Sequence, residues 1–201
     1  MRTLDKASQQ ALTPIGALEL LKQGNDRFVN NLKANRDLLQ QANTTVAGQF
    51  PIAIILSCID SRTSVELIFD QGLGDVFSTR IAGNILNDDI LGGMEFACKL
   101  AGSKLIVVLG HSHCGAIKGA CGDVKLEHLT GLLDKIKPAV ESVRKETNGL
   151  EDDDLVQRVA ETNVQATVKQ VMKNSLVLKE MIDNGEIDIV GGMYDIQSGH
   201  V

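Results

Sequence analysis

Two short runs, IAIILSC at residues 52–58 and KLIVVLG at residues 104–110, are apolar without alternation. Each is too short for a good helix, and a half-exposed strand would alternate, so unbroken apolar side chains fit a strand covered on both faces. Two further candidates are DVFSTRIAG (75–83) and IDIVGGMYDI (187–196). Helical patterns fill the intervals at residues 64–70, 88–100, 114–121, 127–146 and 151–184. The last opens on the acids EDDD, suited to a helix N-terminus, and closes at Gly185, a fitting C-cap. Strands alternating with helices predict an α/β fold: a mostly parallel central sheet of four to five strands flanked by helices. Ahead of it, Ile15, Leu18, Leu21, Phe28 and Leu32 recur at roughly helical spacing, with Gly24 weakening the middle, which predicts an N-terminal helical arm. The length of 201 residues fits one domain spanning 1–201.

Charge narrows the partners. Lys plus Arg total 20 against 26 Asp plus Glu, a net charge of -6, so the attraction that holds a polyanion is missing. Only 3% of residues are aromatic and none is Trp, which removes stacking platforms for single strands as well. No nucleic-acid partner is expected. No apolar run reaches the roughly 18 residues needed to cross a bilayer, and MRTLDKASQQ has no apolar signal core, so no membrane association is expected. Cys58, Cys98, Cys114 and Cys121 are too sparse for a disulfide scaffold. They point to the cytoplasm, or to the periplasm or an organelle had a leader been removed, and to buried thiols or metal ligands.

The chemistry concentrates in two segments, SCIDSR (57–62) and GHSHCGA (110–116). Both lie at the carboxyl ends of predicted core strands, the edge where parallel sheets bind ligands. Two Cys and one His match a tetrahedral zinc site with three protein ligands and one open position, the pattern of catalytic rather than structural zinc. Cys58 and Cys114 supply the sulfurs; by spacing alone either His111 or His113 can supply the nitrogen. Were residues 58–62 extended, Asp60 and Arg62 would face the same way as Cys58. A guanidinium beside a carboxylate lowers its pKa and fixes its orientation, leaving it free to accept a proton from the nucleophile.

These segments resemble the β-class carbonic anhydrases, marked by C-x-D-S-R and, further on, G-H-x-x-C-G; both motifs are complete here, and TRIAGN (79–84) and MEFA (94–97) extend the likeness. The resemblance implies that Cys58, His111 and Cys114 hold one Zn2+ per chain, with His113 a bystander, and that Asp60 and Arg62 form a catalytic dyad. It implies reversible hydration of carbon dioxide to bicarbonate and a proton, in a homodimer or homotetramer whose residues 1–48 pack on a partner subunit. In some members the aspartate swings onto zinc in an inactive state. One subclass places an aromatic residue three positions before the first Cys, where this chain has Ile55; the other places Gln nine before it, where this chain has Gln49. That favours the open subclass, in which Gln49 reaches substrate in the partner's site. Phe77 then matches an apolar pocket wall, and the Gly115 N–H a contact to substrate oxygen. The pocket Tyr of plant-like members has no counterpart near Asn87.

Three alternatives use the same residues: hydrolysis of carbon disulfide or carbonyl sulfide on the same scaffold, a non-catalytic zinc module with a fourth ligand from Asp60 or His113, and a redox protein pairing Cys58 with Cys114. Elsewhere the readings are structural. Cys98 and Cys121 are core or surface thiols, Gly92-Gly93 permits close helix packing, and the acids at 151–154 form a solvated helix start. His128 and His200 are exposed or capping, and Gly72-Leu73-Gly74 lacks the nucleotide fingerprint.

Overall fold

In the computed structural model, which describes residues 3–147 and 152–201, the two unbroken apolar runs form the middle of the sheet. β1 (Ala53–Ser57) and β3 (Leu105–His111) are buried at every position, since each pairs on both sides and is covered on both faces. β2 (Val76–Arg80) and β4 (Asp188–Tyr194) are edges, and most of their side chains are half-buried or exposed. Among the described residues the order is β2-β1-β3-β4, every pairing parallel. The predicted parallel sheet is borne out at the lower of its two strand counts.

The helices run α1 (Lys6–Ala11), α2 (Pro14–Val29), α3 (Leu38–Thr44), α4 (Val65–Ile68), α5 (Asp88–Glu95), α6 (Gly115–Cys121), α7 (Glu127–Asp134), α8 (Lys137–Glu146), α9 (Asp152–Asn174) and α10 (Leu176–Asp183). Alternation along the strands divides the core. Ile54, Leu56 and Ile106 pack against Met94, Ala97, Val171 and Leu178 on one face. Ala53, Ile55, Leu105 and Val107 pack against Ala17, Leu21, Val65 and Ile68 on the other. A third apolar cluster gathers Ile117, Leu133, Ile136, Val140 and Val159 around Cys58 and Cys114.

Several expectations are corrected. Residues 127–146 form two helices, because Pro138, in the first turn of α8, has no N–H to bond back and its ring opposes the preceding turn. The break buries Ile136 completely. The long C-terminal helix ends at Asn174, where Ser175 accepts the Leu178 N–H at 3.1 Å and caps α10 instead. Gly185, at φ +70, does close that helix as predicted. The helix at 88–100 winds as α to Glu95 and as a π turn over Phe96–Leu100. α1 and α3, both capped by an Asp side chain, add two short helices to the N-terminal arm on either side of α2. An added Cβ at Gly92 or Gly93 would meet nothing within 4 Å, so these glycines serve no close packing within the chain. Of the acids at 151–154, Glu151 lies outside the described residues.

Gly24 is the contact point of the arm rather than its weak point. A Cβ there would lie 1.8 Å from the Phe69 carbonyl oxygen, so only glycine lets α2 lie against α4. α2 thereby covers the sheet of its own chain, while Ile15, Leu32, Leu38, Leu39 and Val46 stay exposed. No helix among the described residues is long and apolar enough to cross a membrane.

Candidate metal centre

From β1 the chain moves to β2 on one side, then returns past β1 to β3 on the other. The crevice beyond the carboxyl ends of β1 and β3 is therefore the point where strand order reverses, which is where such a sheet leaves room for a ligand. Cys58 directly follows β1, His111 ends β3, and Cys114 is the N-cap of α6. All three are buried, and their candidate ligand atoms lie within 4.8 Å of one another.

The donors suit zinc. The two sulfurs are 3.9 Å apart, close to the ~3.8 Å that two Zn–S bonds of ~2.3 Å subtend at a tetrahedral angle. His111 Nδ1 lies 2.9 Å from the Ser112 carbonyl oxygen. A carbonyl can only accept, so Nδ1 carries the proton and Nε2 presents a lone pair. That Nε2 is buried without a hydrogen-bond partner, a state costing ~1–3 kcal/mol unless an ion occupies the space before it. Among the described residues the group has three members: Asp60 and His113 lie outside it. His113 takes a left-handed φ of 56°, and its side chain is exposed. This selects His111 over His113 and leaves the closed four-ligand module without its fourth ligand.

The thiols are electrostatically unequal. Cys58 is held below the usual thiol range, first by the Cys114 thiol and against the effect of burial, with further help from His111 and the N–H groups of Gly83 and Asp60. Cys114 is pushed far above the usual thiol range by Cys58 and by burial. One proton thus leaves the pair easily and the second only against a neighbouring thiolate, a cost that a divalent cation removes. The remaining cysteines take no part: burial pushes Cys98 up to about 12, and Cys121 is half-buried.

The dyad forms by a different local geometry from the one expected. Residues 58–62 are not extended but turn, with the Arg62 N–H donating to Asp60 Oδ1 at 2.9 Å. The guanidinium then closes on the same carboxylate, Nε to Oδ1 at 2.9 Å and Nη2 to Oδ2 at 2.8 Å. Arg62 thereby holds the Asp60 carboxyl well below the usual carboxylate range.

Sequence reasoning missed the residues that brace this loop. Arg80, at the end of β2 and in register with Ser57, donates to the Cys58 carbonyl at 2.9 Å and also reaches the Asp60 carbonyl. Thr63 Oγ1 donates to the same two carbonyls at 3.0 and 2.9 Å. Gly83, at φ +69, directs its N–H onto Cys58 Sγ at 3.3 Å, and Asn163 of α9 holds its carbonyl at 2.8 Å. The signal for Arg80 was a cation at a strand's carboxyl end, opposite the residue before the ligand.

The carbonic anhydrase sequence profile matches residues 53–201. Carbonic anhydrase 2 of Mycobacterium tuberculosis is 36% identical over 192 residues, covering 92% of this chain and 90% of that protein. The chain belongs to the β-carbonic anhydrase family. A carbonic anhydrase of Mycolicibacterium smegmatis is 34% identical over 195 residues, covering 94% of this chain and 92% of its own. Among solved structures, a β-carbonic anhydrase of Aspergillus fumigatus aligns with a TM-score of 0.74 at 29% identity, over 92% of this chain and 87% of that one. A tetrameric β-carbonic anhydrase of Sordaria macrospora aligns with the same TM-score of 0.74 at 29% identity, over 79% and 83%.

Of the three substrate contacts carried over from the family, one adjoins the metal ligands. Gly115 begins α6 directly after Cys114 and is exposed. Gln49 precedes β1 and lies at the opposite edge of the sheet, lining a cavity of about 600 Å³ with Phe50, Cys98 and Leu100. The five residues of β1 separate it from Cys58 by roughly 16 Å, beyond the reach of a glutamine. Phe77 sits mid-strand opposite Ile54, its ring edge-on to Phe96 at 6.1 Å, also away from the ligands of its own chain.

Proposed function

We propose that the chain hydrates carbon dioxide reversibly to bicarbonate and a proton, using one zinc ion held by Cys58, His111 and Cys114. The observation that carries this is the buried, unpartnered His111 Nε2 beside two sulfurs 3.9 Å apart, with Asp60 locked by Arg62 next to them. When bound, zinc supplies the Lewis acidity that lets water give up a proton near neutral pH. Asp60, ionised and fixed by two guanidinium bonds, accepts a hydrogen bond from the nucleophile and so turns its lone pair toward the carbon of the substrate. The Gly115 N–H, one of the amides that α6 leaves unused at its start, donates to a substrate oxygen. Because Arg62 occupies both oxygens of Asp60 and that carboxylate stands outside the ligand group, we favour the open subclass.

The same reading makes the active unit at least a dimer. Gln49 and Phe77 lie too far from their own chain's ligands to touch substrate there, so they serve the partner's site. Phe96 and Leu100, 53% and 76% exposed, and the bare apolar residues of the arm offer the surface for that contact. Sparse cysteines, none of them in a disulfide among the described residues, suit the reducing cytoplasm.

The test is a pair of variants. Cys58→Ser should lose zinc and carbon dioxide hydration together, whereas Asp60→Asn should retain zinc and lose about 100-fold or more of its turnover. Hydration at the parent rate in either variant contradicts the roles given.

A further inference from the structure

We infer that Ser112 and Asp195 are positioning residues for His111, and that the C-terminal turn built on Asp195 governs how firmly the metal is held. This rests on the zinc reading above. A ligating histidine is aimed by the acceptor of its other ring N–H, and here that acceptor is the Ser112 carbonyl at 2.9 Å. A main-chain carbonyl points only as reliably as its own residue is fixed.

Every polar group of Ser112 is engaged. Its N–H donates to the Tyr194 carbonyl at 2.9 Å, its Oγ donates to Asp195 Oδ1 at 3.1 Å, and the same Oγ accepts the Ile196 N–H at 3.0 Å. Asp195 is fixed in turn. It accepts Ser198 Oγ at 2.6 Å and the N–H groups of Gln197 and Ser198 at 3.2 Å each. The Gly199 N–H, in a residue at φ +81, closes the turn onto the Asp195 carbonyl at 2.8 Å. Asn25, buried in α2, then latches the tail, donating to the Gly199 carbonyl at 2.8 Å and accepting the Val201 N–H at 3.1 Å. A continuous run of hydrogen bonds thus links α2, through the tail, to the imidazole ring of His111.

Removing the Ser112 hydroxyl takes away two of that residue's four bonds yet leaves Asp195 anchored by Ser198 and the turn amides. The turn then persists while the carbonyl that aims His111 loosens. Removing such an outer partner typically costs ~10–100-fold in metal affinity.

The experiment loads the parent, Ser112→Ala, Ser112→Thr and Asp195→Asn with Zn2+ and follows its release to excess chelator. The visible ligand-field spectrum of each protein loaded with Co2+ is recorded in parallel. Ser112→Ala should release zinc about 10-fold faster or more and shift its cobalt bands, Ser112→Thr should stay within about twofold of the parent, and Asp195→Asn should fall between them. If far-UV circular dichroism finds Ser112→Ala unfolded, Asp195→Asn against Ser112→Thr carries the comparison. Parent-like release and unchanged cobalt bands in Ser112→Ala and Asp195→Asn overturn this inference alone. A parent that takes up no zinc overturns the proposed function and this inference with it.

Discussion

Asp60 and Arg62 are only two residues apart, and a tight turn brings their side chains into a doubly bonded pair. Because the folded pKa of Asp60 lies below its unfolded value of ~3.9, the pair's contribution to stability is present above that value and is lost as pH falls through the folded pKa. Asp60 therefore stays ionised across the neutral and mildly acidic range. In Arg62→Ala its carboxyl should titrate at higher pH than in the parent, the metal should remain, and turnover should fall; a pH–rate profile with zinc analysis checks this. An acid limb unchanged by the substitution would contradict the pairing. The two sulfur ligands were legible because paired Cys motifs at two strand ends have few other uses, whereas the choice of His111 over His113 came only from the family resemblance and then from burial. Arg80, Thr63 and Ser112 were not legible, since they act through backbone carbonyls, and any sequence offers many such polar residues.

Among the elements, the central strands were readable because burial on both faces leaves no polar position. Helix ends were less so: the pattern through Ile136 and Ser175 keeps its periodicity across breaks that one proline and one capping serine impose. Gly24 carries the sharpest consequence. On propensity alone Gly24→Ala would stabilise α2 by up to ~1 kcal/mol, but its Cβ would lie 1.8 Å from the Phe69 carbonyl oxygen. The clash should win, with a net loss of about 2 kcal/mol or more by urea unfolding. A stabilised variant would show that α2 and α4 do not meet as described.

At the scale of the whole molecule, the metal ligands lie beyond the carboxyl end of β1 and Gln49 before its other end, as the predicted strand between them already implied. Mixing Gln49→Ala subunits with Cys58→Ser subunits tests the two-chain site. Each parent variant should be weak or inactive, while the hybrid dimer should regain activity, because the intact ligands of one subunit meet the intact Gln49 of the other. Activity no higher than the sum of the separate variants would place Gln49 outside the partner's site. Beneath all of this lies the claim that Cys58, His111 and Cys114 hold a single catalytic zinc, and titrating Zn2+ into metal-free protein while following carbon dioxide hydration tests it most directly. Activity should rise linearly and break at one zinc per chain; a protein that reaches full occupancy without hydrating carbon dioxide would contradict it.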